Sequence, residues 1–241
     1  ASGEQACGET GMGRMLEPSE LYAEAVAALT PKILKGKRVL VTAGPTYESI
    51  DTVRGITNQS SGKMGYAVAQ AAAEAGAQVT LVSGRTALPA PAAVERVDVV
   101  TAREMYDAVM GRVKRTDVFI AVAAVADYHV LNAQSRKIKR GTGNLTIELA
   151  PNPDILGAVA RGKSAPFCVG FAAETENLKA YAQEKRRKKR MRAGRTTSAS
   201  QRQRLVGASS KPRSSKARGT SLMPWVRDVA RPSIAFSMPA R

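Results

Sequence analysis

Three short stretches combine residue types that could handle a phosphorylated or carboxylate ligand. The first runs from Thr42 to Gly65, TAGPTYESIDTVRGITNQSSGKMG, and enters an alanine-rich segment through Ser60-Ser61-Gly62-Lys63. Small residues at a helix start let the backbone approach an anion, and the open N–H groups favour phosphate. Lys63 could add a point charge. The pattern is not a nucleotide P-loop, because six residues rather than four separate Gly55 from Gly62 and Met64 replaces the magnesium-binding hydroxyl. It is not GxGxxG either. A serine N-cap followed by a glycine turn accounts equally well for the stretch, and Asn58 alone reads as an ordinary turn residue.

The second stretch is AVAAVADY, Ala121 to Tyr128, followed by Lys137-Ile138-Lys139. Small residues such as Ala123 and Ala124 at the end of a buried strand leave room for a flat ligand. Asp127 could accept from a base or ribose, help hold a metal, or simply cap a turn. Lys137 could stabilise charge developing on a phosphoryl or acyl group, or be a solvated strand lysine. The third combines Asn152-Pro153-Asp154-Ile155 with Gly170-Phe171-Ala172-Ala173-Glu174-Thr175. Pro153 behind an asparagine cap is ordinary helix punctuation, and Phe171 could stack on a base or sit in the core. His129, the one histidine, has no supporting pattern for a catalytic triad and reads as a loop residue.

These stretches need a scaffold, and the apolar periodicity supplies one. Runs rich in β-branched residues at Arg38–Ala43, Gln78–Val82, Arg96–Val100, Asp117–Val122 and Phe167–Ala172 predict strands. Lys63–Ala75 and Ala102–Lys114 show helical spacing between them, and a short helix starts near Pro153. Strands alternating with helices imply an α/β fold, Rossmann-like, with a mostly parallel sheet covered by helices on both faces. Ligands in such sheets bind at the carboxyl ends of the strands, where all three stretches fall. Lys137–Arg140 and Leu145–Leu149, around Gly141-Thr142-Gly143, predict an inserted β-hairpin. A further helix is expected after Glu17-Pro18-Ser19.

The charge is uneven. The chain of 241 residues carries a formal net charge of +17. From Lys185 onward there are 17 Lys or Arg against Asp228 alone, whereas residues 1–184 hold 20 basic and 19 acidic groups. Basicity therefore belongs to the tail, where nucleic acid would be bound only nonspecifically. After Lys189 neither a period of 2 nor of 3.6 persists. Residues 190–241 read as a basic low-order tail, either a disordered arm or a frameshifted reading, with the abrupt switch favouring the latter. Cys7 and Cys168 lack metal-ligand spacing, so a zinc site or disulfide framework is not expected and a reducing cytoplasm is. No apolar run is long enough to span a membrane. A nicotinamide oxidoreductase needs a glycine fingerprint and an acid ending the second strand, where Val82-Ser83-Gly84 stands instead.

Taken in order, GPTYESID, VRGITNQSSGKMG, AAVADY, KIK, NPDI and GFAAET resemble phosphopantothenoylcysteine synthetase across residues 36–189. The segment ACGETGMGRMLEP, Ala6 to Pro18, resembles the end of the flavin-dependent phosphopantothenoylcysteine decarboxylase that bacteria commonly fuse ahead of it. Residues 1–35 would then be a decarboxylase remnant and linker. The resemblance implies a ligase of coenzyme A biosynthesis that activates phosphopantothenate with CTP and magnesium and transfers the acyl group to cysteine. It implies that Asn58 positions the acyl-nucleotide, Lys137 helps form it, and Ser60, Ser61, Gly62, Lys63 and Gly65 hold phosphate. Ala123, Ala124, Asp127, Pro153, Asp154, Ile155 and Phe171 would surround the base, with Lys185 and Lys189 reaching the phosphates. Cys7 matches the decarboxylase's reactive cysteine, and FMN would belong to the absent decarboxylase body. The resemblance further implies a homodimer built on Lys137–Leu149. The altered tail makes an inactive remnant of the ligase the main alternative.

Overall fold

Buried β-branched strands set the sheet. The computed structural model describes residues 2–4, 7, 9–12, 15–174 and 193–198. A short antiparallel pair, β1 (Ser2–Glu4) and β2 (Thr10–Met12), precedes helix α1 (Pro18–Leu29). Pro18 at its first position and the Glu20 carboxylate accepting from Glu17 N at 3.1 Å start that helix. The main chain then runs β3 (Arg38–Ala43), β4 (Tyr47–Ser49), β5 (Gly55–Thr57), α2 (Lys63–Glu74), β6 (Gln78–Ser83) and β7 (Val94–Asp98). It continues through α3 (Ala102–Met110), a 3-10 turn (Val113–Arg115), β8 (Val118–Ala121), β9 (Tyr128–Val130) and β10 (Leu149–Pro151). Helix α4 (Ile155–Ala160), β11 (Phe167–Glu174) and β12 (Ala193–Ser198) complete the described elements.

Six strands form one parallel sheet in the order β12-β11-β8-β3-β6-β7. The chain winds outward from β3 to β7 on one side and from β8 to β12 on the other. The topology therefore reverses between β3 and β8, which is where a doubly wound sheet opens a crevice at its carboxyl ends. One face buries Val39, Val41, Val79, Leu81 and Ile120 with Val68, Ala69 and Ala72 of α2. The other buries Leu40, Val82 and Phe119 with Met105 and Val109 of α3 and Ile155 and Val159 of α4. Helices on both faces confirm the expected architecture. No helix among the described residues is long and apolar enough to cross a membrane.

Several local expectations are corrected. The third strand is Val94–Asp98 rather than Arg96–Val100, because Thr101 caps α3 by accepting from Glu104 N and Val100 N donates to the Glu104 carboxylate. Helix α3 ends at Met110, with Gly111 as its C-cap. The inserted hairpin is not formed by Lys137–Arg140 and Leu145–Leu149. Its strands are β9 and β10, paired antiparallel from Tyr128↔Pro151 to Val130↔Leu149, with Leu131 N donating to Glu148 O beyond them. Residues 132–148 are loop, because Gln134 N and Ile138 N spend their hydrogens on Ile50 O and the Asp51 carboxylate instead of on a facing strand. Ala193–Ser198, read from sequence as patternless, extends the sheet as β12 in parallel register with Val169–Glu174.

Candidate functional site

The carboxyl ends of β3 and β8 are held close by backbone. Pro45 bridges Ala124, Ala124 N donates to Gly44 O at 2.9 Å, and Thr46 N donates to Ala124 O at 3.3 Å. Thr42 and Thr46 turn their hydroxyls onto the β8 loop, where Thr46 Oγ1 accepts from Ala126 N at 2.8 Å. Asn58 joins the same junction, its Nδ2 donating to Ala124 O at 3.2 Å and Val125 O at 2.9 Å. With both carbonyls demanding donors, the amide orientation is fixed. Asn58 Oδ1 then has no protein donor among the described residues and faces no competition for a ligand N–H or O–H.

Beside Asn58, the chain turns into α2. The N-cap is Gly62 at φ 74°, a left-handed conformation natural to glycine, and no side chain caps the helix. The expected serine cap is thus corrected: Ser60 Oγ accepts from Gly62 N only at 3.4 Å, and Ser61 O accepts from Thr86 Oγ1. The first α2 N–H groups, from Lys63 to Gly65, find no protein acceptor among the described residues, while Tyr66 N reaches Gly62 O. Lys63 is exposed at that end. Unpaired N–H groups on a helix N-terminus are suited to phosphate or carboxylate oxygens. Gly65 also serves packing: a Cβ there would lie 2.5 Å from Ala43 Cβ, so it lets α2 lie against β3. Gly44 and Gly84 touch in the same way, a Cβ on Gly84 falling 2.0 Å from Pro45 O.

Two loops flank this centre. On one side Ala123 and Ala124 end β8, and exposed Asp127 carries a carbonyl that accepts from Asn152 N at 2.8 Å. Asn152 Nδ2 donates to Ala126 O, which turns Asn152 Oδ1 toward His129 Nδ1 at 3.0 Å. Asn152 is therefore a loop brace and not the α4 cap. Asp154 is the cap, accepting from Gly157 N at 3.0 Å behind Pro153. Ile155 is buried in the core cluster with Phe119. Phe171 packs against the α2-side core, so the core reading holds for it.

On the other side lies the exposed 131–148 loop with Lys137. It lines a cavity of about 650 Å³ together with Ile50, Val130, Gln134, Ile138 and Leu145. Asp51, unremarked in the sequence, anchors this loop. Its side chain is fully enclosed, paired with Arg54. The Arg54 guanidinium and then backbone N–H groups hold its carboxyl far below the usual carboxylate range. Arg85 was also missed. Its guanidinium stacks 4.7 Å from the Tyr47 ring centroid, on the loop that follows β6. Asp51 and Arg54 stand three apart within a stretch already singled out, whereas no sequence signal marks Arg85. Lys185 and Lys189 lie outside the described residues. Cys7 sits exposed in the β1–β2 turn. Among the described residues no group of three or more His, Cys, Asp or Glu could hold a metal ion.

Residues 34–208 match the family described as DNA/pantothenate metabolism flavoprotein C-terminal domain. A Vibrio cholerae coenzyme A biosynthesis bifunctional protein CoaBC is 55% identical over 188 residues, 77% of this chain and 47% of that protein. The Escherichia coli K12 protein of the same name is 50% identical over 195 residues. A cysteine/cysteine sulfinic acid decarboxylase from an unknown prokaryotic organism is 43% identical over 197. The chain spans about half the length of the bifunctional relatives it matches. The crystal structure of the C-terminal domain of a CoaBC protein superposes with TM-score 0.62 at 44% identity, covering 69% of this chain and 79% of that one. A Cab2 mutant in complex with phosphopantothenate-cysteine shares the fold, with TM-score 0.61 at 17% identity.

These findings correct the expected synthetase. The matched family is described by a flavoprotein, and the relatives by a bifunctional coenzyme A biosynthesis protein or a decarboxylase. None of these descriptions names a nucleotide-dependent ligase. The acyl-nucleotide step, CTP and magnesium therefore carry no assignment here, and the roles that Asn58, Lys137 and the base-surrounding residues drew from that step lapse with it. What remains is a parallel sheet with unpaired helix N–H groups at its topological switch, in a fold similar to that of a CoaBC C-terminal domain. The chain belongs to the DNA/pantothenate metabolism flavoprotein C-terminal domain family.

Proposed function

We propose that the chain is the ligand-holding domain of a coenzyme A biosynthesis enzyme, and that its β3–β8 corner binds a phosphorylated pantothenate derivative. Phosphopantothenate and its cysteine conjugate are the ligands that fit best. The observation carrying this reading is the meeting of Asn58, with its amide fastened on Ala124 and Val125, and the uncapped start of α2. A phosphate needs several donors at once, and the Lys63, Met64 and Gly65 N–H groups beside Lys63 Nζ supply them. The pantothenate arm carries amides and hydroxyls, which match the lone acceptor left on Asn58. Lys137 can balance a carboxylate or other developing negative charge from the flanking loop. The names of the bifunctional relatives, and of the decarboxylase acting on cysteine, support a ligand of this chemistry.

The family description also names a flavoprotein. A flavin mononucleotide would find a phosphate cradle at α2, beside closely packed backbone. The backbones of Gly44, Pro45 and Gly84 are in contact, and Asn58 fastens the β5 side to the β8 loop. We therefore assign the flavin no residues here. A homodimer remains part of the proposal. Leu131, Leu145 and Leu149 are about half exposed on the hairpin and its loop, an apolar patch suited to a second copy. Light scattering that finds only monomer would remove this element.

Calorimetry on the full chain tests the function. Phosphopantothenate and phosphopantothenoylcysteine should bind, unphosphorylated pantothenate should bind at least about tenfold more weakly, a loss of about 1.4 kcal/mol, and FMN should not bind. Binding of FMN without binding of either phosphorylated pantothenate derivative would contradict the proposal.

A further inference from the structure

The Asp51 carboxylate divides its two oxygens between two tasks. Oδ1 closes its own turn, accepting from Val53 N at 2.8 Å and Arg54 N at 2.7 Å. Oδ2 faces away, accepting from Arg54 Nε at 3.1 Å and, across 87 residues of sequence, from Ile138 N at 3.1 Å. Arg54 completes the link by donating to Ile138 O at 2.9 Å. Ile138 is thus gripped at both its N–H and its carbonyl, immediately after Lys137. Four residues earlier, Gln134 N donates to Ile50 O at 2.9 Å. Elsewhere from 131 to 148 the loop is mostly exposed. Asp51 is 3% exposed, and carboxylates are almost never so enclosed unless paired. The same turn leads directly into β5 and Asn58.

We propose that Asp51 is a positioning residue: through Oδ2 it latches the 131–148 loop and so fixes Lys137 relative to the Asn58 corner. The inference rests on the proposed ligand site, and it adds to it the reason the two flanks hold one geometry. Arg54 neutralises the buried charge and doubles the grip on Ile138. The division of labour between the oxygens makes the latch separable from the turn. Asp51→Asn can keep a carbonyl oxygen on Val53 N and Arg54 N while setting an NH2 group against Ile138 N and the Arg54 guanidinium. Donor then faces donor, and the loop is released without removing the turn.

The test has two arms, both on the full chain. The first reads the rate of tryptic cleavage after Arg136, Lys139 and Arg140 by mass spectrometry, with the thermal midpoint followed in parallel. Asp51→Asn and Ile138→Pro, which deletes the donated N–H, should each speed cleavage at least about tenfold, and the double variant should add little more. The second measures phosphopantothenoylcysteine affinity. Asp51→Asn should weaken it about tenfold in the wild-type background and less than about twofold in a Lys137→Ala background. A cleavage rate unchanged by Asp51→Asn, or the same loss of affinity with and without Lys137, would overturn the latch. If the wild-type chain binds no phosphorylated pantothenate derivative, the ligand site itself fails. The cleavage arm then still decides whether Asp51 holds the loop.

Discussion

The two ends of the central sheet differ in a way that volume alone misreports. At the amino ends of β3, β6 and β7, a groove of about 800 Å³ is lined by Arg38, Gln78, Glu95, Arg112 and Lys114. It is the larger space, yet much of its polar surface is already spent. Arg38 holds Asp117 through its backbone N–H at 2.8 Å and its guanidinium at 3.1 Å, and Thr80 donates to Glu95. Arg112 donates to Ala108 O in the last turn of α3. At the carboxyl ends, the α2 N–H groups of Lys63 to Gly65 and Asn58 Oδ1 have no protein partners among the described residues. Unspent hydrogen-bonding capacity, not size, distinguishes a binding corner from a surface groove. The origin of the difference is geometric: helices begin at the carboxyl end, so free N–H groups collect there.

The largest effect should come from closing the carboxyl end. Gly65→Val forces branched carbon into Ala43, and overpacking of this kind costs about 1–3 kcal/mol or more. The expected outcome is a thermal midpoint lower by several degrees and no measurable ligand binding. Next, Asn58→Ala should weaken phosphopantothenoylcysteine at least about tenfold, since it removes both the ligand acceptor and the tie to Ala124 and Val125. Calorimetry with circular dichroism separates that loss from unfolding.

Acid should sharpen the contrast further. Arg54 holds the Asp51 carboxyl far below its usual range, and Arg38 lowers Asp117 in the same direction. A depressed folded pKa stabilises above the unfolded value of about 4, and that contribution is lost as pH falls through the folded value. Thermal midpoints should therefore decline below about pH 4, and Asp51→Asn should flatten the decline more than Asp117→Asn. Equal flattening by the two would mean that both ends are held alike. The smallest effect belongs to the amino end. Arg112→Ala and Lys114→Ala should leave ligand affinity within about twofold, because both cations stand at the end of the sheet opposite the Asn58 corner.

Much of this was legible in the residues. Strands such as Arg38–Ala43 and Asp117–Val122 announce themselves because both faces are buried, so β-branched runs need no alternation to be recognised. The loop cluster was also visible, because small residues and Asn58 ahead of a helix start are local features, although the serine cap read there is replaced by Gly62. Long-range hydrogen bonding was not. Lys137–Arg140 reads as a strand by alternation, but Asp51 takes the Ile138 N–H, and Ile50 the Gln134 N–H just before it, from more than eighty residues away. Likewise Ala193–Ser198 carries no apolar period, yet it pairs with β11 in parallel register. Arg85 was invisible for the same reason: its place is set by the Tyr47 ring, not by its neighbours in sequence.

Hydrogen–deuterium exchange with and without phosphopantothenoylcysteine tests the central claim most directly. Ligand should protect residues 44–46, 58–66 and 123–127 and leave 111–116 at the amino end unchanged. Protection confined to the amino-end groove, or none at the Asn58 corner under saturating ligand, would contradict the account.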